Sequence, residues 1–142
     1  EAGVALVFVK GLKGVPWYGA SWWSQKTPVI ELSLRGKKDD QFWFSFFHEA
    51  GHILHDSKKA RFINDGEDGD ERELEANRFA ADFLIPRNRT SEVRELRTKL
   101  QVATLASELR ISPGIVVGRF QRETEKWQVF NDLKKTLLWK EV

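Results

Sequence analysis

Five consecutive residues, His48-Glu49-Ala50-Gly51-His52, set two imidazoles four positions apart with a carboxylate beside the first. On a helix, four residues make about 400° of rotation and about 6 Å of rise, so both rings face one way and can close on a zinc ion with bonds of about 2.0 Å. Glu49 lies beside the pair, not between its members. From there it can take a proton from the attacking water, whose pKa zinc lowers toward about 7, and pass it to a leaving amine. The same five letters can also arise by chance in an aromatic helix whose histidines hydrogen-bond inside the core. A third ligand separates the two cases.

With no cysteine in the chain, that ligand must be His, Asp or Glu. The long three-histidine zinc motif would need a histidine ten positions after His48, where Lys58 stands. His55 lies one turn past His52 and would have to reach back along the axis; its plainer role is a polar residue ending the helix. Glu71, Glu73 and Glu75 on a following helix offer more. Glu73 is the choice, because Asn77 follows one turn later and can orient a ligating imidazole from behind. Glu75 is the fallback, although Phe79 stands at the equivalent place and cannot do this. Ala76, Ala80 and Ala81 are small enough to let this helix approach the Gly51 side of the first. Zinc gives an acid on that face a reason to be there, since burial would otherwise cost it heavily.

The positioning elements can be read from pattern and punctuation. Val4 to Val9 is β-rich and closed by Gly11 and Gly14, and a second extended segment spans Trp17 to Trp23, so a hairpin or meander is expected. Pro28 opens Val29 to Leu34, whose last residues alternate as in a half-buried strand. Asp39 or Asp40 can cap a helix through Gln41 to His55, and its apolar circumference predicts a buried one. Gln41, Ser45, His48, His52 and His55 form its polar strip. The acidic stretch 56–70 reads as a loop lacking calcium-site spacing. A second helix is expected from near Glu71 to Leu84, stopped by Pro86. Further helices are expected at Ser91–Leu100, Val102–Leu109, Gly114–Lys126 and Asn131–Trp139.

The 142 residues, 41% hydrophobic and 12% aromatic, suffice for a packed core and exclude global disorder. Apolar runs of about six residues fall far short of the roughly 20 that cross a bilayer, and no leader pattern opens the chain. A cytoplasmic protein without membrane association is expected. The lack of any methionine, even at position 1, points to a piece of a longer chain. Residues 1–85 carry 11 basic and 14 acidic side chains, net −3, and residues 86–142 carry 12 and 7, net +5. One domain over 1–142 is expected, with strands and zinc-site helices in 1–85 and a helical tail in 86–142.

Two strings carry a family resemblance: Phe47-His48-Glu49-Ala50-Gly51-His52-Ile53-Leu54, and Glu73-Leu74-Glu75-Ala76-Asn77-Arg78-Phe79-Ala80-Ala81-Asp82-Phe83-Leu84-Ile85-Pro86. Together they resemble the ImmA/IrrE family of zinc metallo-endopeptidases. That resemblance implies His48, His52 and Glu73 as metal ligands, Zn2+ as cofactor, Glu49 as general base, and a protein or peptide as substrate. The stretch from Ala106 to Gln121 resembles the end of fusion proteins in which an XRE- or HigA-type helix-turn-helix precedes this domain. DNA contact is then expected only through a missing upstream segment or a partner, and the substrate is expected to be a regulatory protein such as a repressor or antitoxin. Relatives often have another apolar residue where His55 directly follows Leu54.

Two other function classes compete. Ala106 to Val116 has helix-turn-helix spacing, and Arg119, Gln121 and Arg122 would be its readers, yet the second helix opens with Gly114-Ile115-Val116-Val117, which suits packing better than a groove. Alternatively, the domain is a non-catalytic zinc- or peptide-binding sensor of a helix-turn-helix regulator. Tyr18 and His55 are the candidates for stabilising an oxyanion. The edge of the Val29–Leu34 strand is expected to hold a peptide by strand addition. The fold class expected is α+β, a small antiparallel-leaning sheet packed on helices, with a zincin-like two-helix site and a helical C-terminal part.

Overall fold

A computed structural model describes residues 3–10, 17–34, 38–55 and 66–140. Among the described residues, three strands and five α-helices make an α+β architecture: β1 (Ala5–Val9), β2 (Gly19–Ser24), β3 (Thr27–Ser33), α1 (Asp39–His55), α2 (Gly66–Leu84), α3 (Thr90–Glu95), α4 (Lys99–Leu109) and α5 (Pro113–Thr124). The chain forms two compact units, one of Glu1–Arg35 with Phe44–Ala80 and the other of Gly36–Trp43 with Ala81–Val142.

In the first unit the sheet is mixed, in the order β1-β3-β2. The expected hairpin between the first two strands does not form. Instead β1 pairs in parallel with β3, Ala5 opposite Val29, and β2 pairs antiparallel with it, Gly19 opposite Leu32. The tight turn joins β2 to β3, with Gln25 at a φ of 56°, as two-residue hairpin loops require. β3 is therefore central and not an edge. Val29, Ile30, Leu32 and Ser33 are all buried, so its apolar run is that of a strand covered on both faces and not of a half-exposed one.

α1 begins at Asp39, two residues before the expected Gln41, and ends at His55 as expected; the two aspartates stand in its first turn, and Asp39 accepts from the Asp40 and Lys135 amides and from Ser112. Its burial is less complete than its apolar circumference suggests, since Trp43 and Leu54 are exposed and most of its aromatic residues are half-buried. Rings this large are seldom fully covered by a three-stranded sheet and one neighbouring helix. α2 starts at Gly66, five residues before the expected Glu71. The remainder of the expected acidic loop, 56–65, lies outside the described residues.

The second unit encloses a core of Ile85, Val93, Leu96, Val102, Leu105, Ala106, Val116, Val117 and Phe120. Thr98 starts α4 with a capping box, its hydroxyl accepting from the Gln101 amide while the Gln101 side chain accepts from the Thr98 amide. That cap moves the helix boundary into the segment where the periodicity placed a helix through Leu100. The expected helix at Asn131–Trp139 is absent: a single 3-10 turn covers Asn131–Leu133, and the chain then extends so that Thr136 bridges Lys38. Phe130, at a φ of 61°, marks the break.

Candidate metal centre

Three side chains on two helices of the first unit converge. His48 and His52, one turn apart on α1, bring their Nε2 atoms to 3.1 Å of each other. Glu73 on α2 places Oε2 3.2 Å from His48 Nε2 and Oε1 2.9 Å from His52 Nε2. Ligand atoms at the corners of a tetrahedron with bonds of about 2.0–2.1 Å lie about 3.3 Å apart, so the spacing suits a small cation with little rearrangement. Two imidazole nitrogens and a carboxylate are also a donor set that suits zinc among the common divalent metals. These three residues form a group that could hold a metal ion.

The helices approach closely because two small residues face each other. A Cβ built on Gly51 would come within 3.2 Å of the Ala76 Cα and 3.1 Å of the Phe79 ring. Asn77, next to Ala76, accepts a hydrogen bond of 2.9 Å from His48 Nδ1 through its side-chain carbonyl. Donation from Nδ1 fixes the tautomer and leaves the Nε2 lone pair for a metal.

Glu49 is buried, with 8% of its surface exposed, and Ser21 of β2 donates a hydrogen bond of 2.7 Å to its Oε2. This contact has no forerunner in the sequence reasoning, because 28 residues separate the partners and neither helical nor strand period links them. Glu75 stands outside the cluster, about 200° further round α2 than Glu73. His55 is likewise no member: its Nδ1 donates to the Gly51 carbonyl at 2.9 Å, and its ring packs edge-on against Phe79. Tyr18 is exposed, and its backbone carbonyl accepts from the Ser33 amide and hydroxyl.

Two of the three suggested DNA readers, Arg119 and Gln121, are used internally within the second unit, whereas Arg122 is exposed. Arg119 donates to Glu123, to the Ala81 carbonyl and to Thr90, and Gln121 donates to the Val129 carbonyl and to Asn131. Ile115, Val116 and Val117, at the start of α5, are buried.

The family model of the IrrE N-terminal-like domain (Peptidase_M78) matches residues 5–121, and the chain belongs to this family. It is thus a metallopeptidase-like domain, and a peptidase implies protein or peptide substrates. Comparison with curated proteins gives no match. Among the described residues, no helix is long and apolar enough to cross a membrane.

Proposed function

We propose that this domain is a zinc-dependent endopeptidase. The observation that carries the proposal is the convergence of His48, His52 and Glu73 to within 3.2 Å beside a buried carboxylate, in a chain of a peptidase family. His48, His52 and Glu73 would hold the ion, and Asn77 would orient His48. When bound, zinc supplies Lewis acidity that polarises the scissile carbonyl and acidifies water. Glu49 takes the proton released as water attacks the peptide carbon and returns it to the departing amine nitrogen, so the peptide bond breaks with one water consumed.

An extended substrate fits β2. This strand has one edge paired to β3 and the other without a strand partner among the described residues, and it lies against Glu49. Strand addition there uses main-chain hydrogen bonds for affinity. β3, whose two edges are both paired, cannot take that role. The resemblance of residues 106–121 to the end of helix-turn-helix fusions supports a bacterial cytoplasmic setting and a regulatory protein as substrate, met through an upstream segment or a partner.

Metal analysis with a cleavage assay tests the reading. About one zinc per chain should bind, and Glu49→Gln should retain it while losing cleavage by about 100-fold or more. A chain that takes up no zinc overturns the proposal. Zinc binding without cleavage of any peptide or companion repressor supports the sensor in its place.

A further inference from the structure

The contact between β2 and Glu49 has a consequence for catalysis. Ser21 Oγ donates at 2.7 Å to Oε2 of Glu49. One strand period earlier, Gly19 brings the backbone so near that a Cβ there would sit 3.1 Å from Glu49 Cγ and 3.0 Å from the Leu32 side chain. β2 therefore holds this side chain twice, at its stem by close approach and at its head by a hydrogen bond. With 8% of the residue exposed, bulk water competes little for the carboxylate.

We infer that Ser21 is a positioning residue for Glu49, engaging Oε2 so that Oε1 is the oxygen free to accept a proton. A hydroxyl has a single proton to donate, and a carboxylate oxygen engaged by it is a poorer acceptor for a second. A glutamate side chain otherwise samples several rotamers, and fixing it before substrate arrives removes that ordering cost from the reaction. The same strand has an edge without a strand partner among the described residues, so base and bound peptide would share one rigid support. This inference rests on the zinc-site reading, but it does not require that the natural substrate be known.

A simple peptidyl hydroxamate is a suitable probe. Its two oxygens chelate zinc, and on binding its N–OH proton passes to the carboxylate of Glu49, so affinity reports the placement of that carboxylate without any turnover. Calorimetry on the zinc-loaded domain should show Ser21→Thr within twofold of wild type, because the hydroxyl is kept and threonine suits a strand. Ser21→Val, matched in shape but without the hydroxyl, and Ser21→Ala should each bind about fivefold more weakly, the scale of one lost hydrogen bond. In a Glu49→Ala background the Ser21 substitutions should make no further difference. Unchanged affinity in Ser21→Val and Ser21→Ala, or the same loss with and without Glu49, overturns the inference. Zinc content measured on every sample keeps the two claims apart: wild type that binds no zinc overturns the site reading and this inference together, whereas zinc-loaded variants that all bind the hydroxamate alike overturn this inference alone.

Discussion

Asn77 touches His48 through one hydrogen bond and supplies no ligand atom to the cluster, so its loss should have a different signature from the loss of a ligand. In competition with a chelator, Asn77→Ala should weaken zinc binding by about 10- to 100-fold, the usual cost of removing a partner that orients a ligand. His48→Ala or Glu73→Ala should abolish stoichiometric binding, because only two protein ligands remain. Glu75→Ala should stay within about twofold of wild type, and a larger effect at Glu75 than at Glu73 would move the third ligand there. These four residues could be singled out from the sequence because their relations are local: His48 with His52, and Glu73 with Asn77, are single helical turns. Ser21 could not be, since its pairing with Glu49 exists only once β2 has been laid against α1. His55 shares the histidine strip but turns its Nδ1 back to the Gly51 carbonyl one turn earlier, which agrees with the plainer role of a polar residue ending the helix.

α1 and α2 keep His48, His52 and Glu73 together through the contact of Gly51 with Ala76, so element packing and the proposed metal affinity should fail together. Alanine at a helix-interior glycine ordinarily gains about 0.5–1 kcal/mol, but here the new Cβ meets the Ala76 backbone at 3.2 Å, and overpacking of this kind costs about 1–3 kcal/mol. The second effect is the larger. Gly51→Ala should therefore lower the urea midpoint and weaken zinc binding, because separating the helices carries Glu73 away from the two histidines. A stabilised variant with unchanged affinity would show that the helices part freely. The type of each major element was legible, down to the stop before Pro86. Strand order was not, because alternation marks a segment as a strand without naming its partner, and the parallel pairing of β1 with β3 is a long-range choice. The tail after Phe130 misled for a related reason: its apolar residues suit a helical stripe, yet the positive φ at Phe130 and the bridge of Thr136 to Lys38 commit it to an extended path.

Across the whole molecule, residues 86–142 carry a net +5, which suggests a nucleic-acid surface, but four of the twelve basic side chains in this stretch are held in ion pairs with its own acids. Arg89 pairs with Glu92 and Glu108, Arg94 and Arg119 share Glu123, and Lys99 pairs with Asp132. Duplex DNA should accordingly bind weakly and lose affinity steeply with salt, and Arg119→Ala should lower stability without changing that binding. The network makes a further prediction about acid. Burial pushes the Glu123 carboxyl up, but hydrogen bonds from Arg94 and Arg119 and their charges outweigh it and hold the group below its ordinary value. Glu92 is held low by its hydrogen bond to Arg89. A carboxylate whose pKa is depressed on folding contributes stability that is fully present above its unfolded value, about 4.3, and is lost as pH falls through the folded one. The contribution of Glu123 and Glu92 to stability should therefore be level from about pH 7 to 5 and fall below about 4.3. Glu123→Gln should cost about 1–3 kcal/mol at pH 7, since it strips a charged acceptor from two arginines at a site where both Glu123 and Arg119 are largely buried. Glu92→Gln should cost less, because its side chain is 46% exposed and solvent screens the pair. Urea titrations at pH 7 and pH 3, with a chelator present to silence the proposed metal site, should show the gap between wild type and Glu123→Gln closing at the lower pH. A gap of the same size at both would mean that the Glu123 charge adds nothing to the fold and that the variant acts through packing alone.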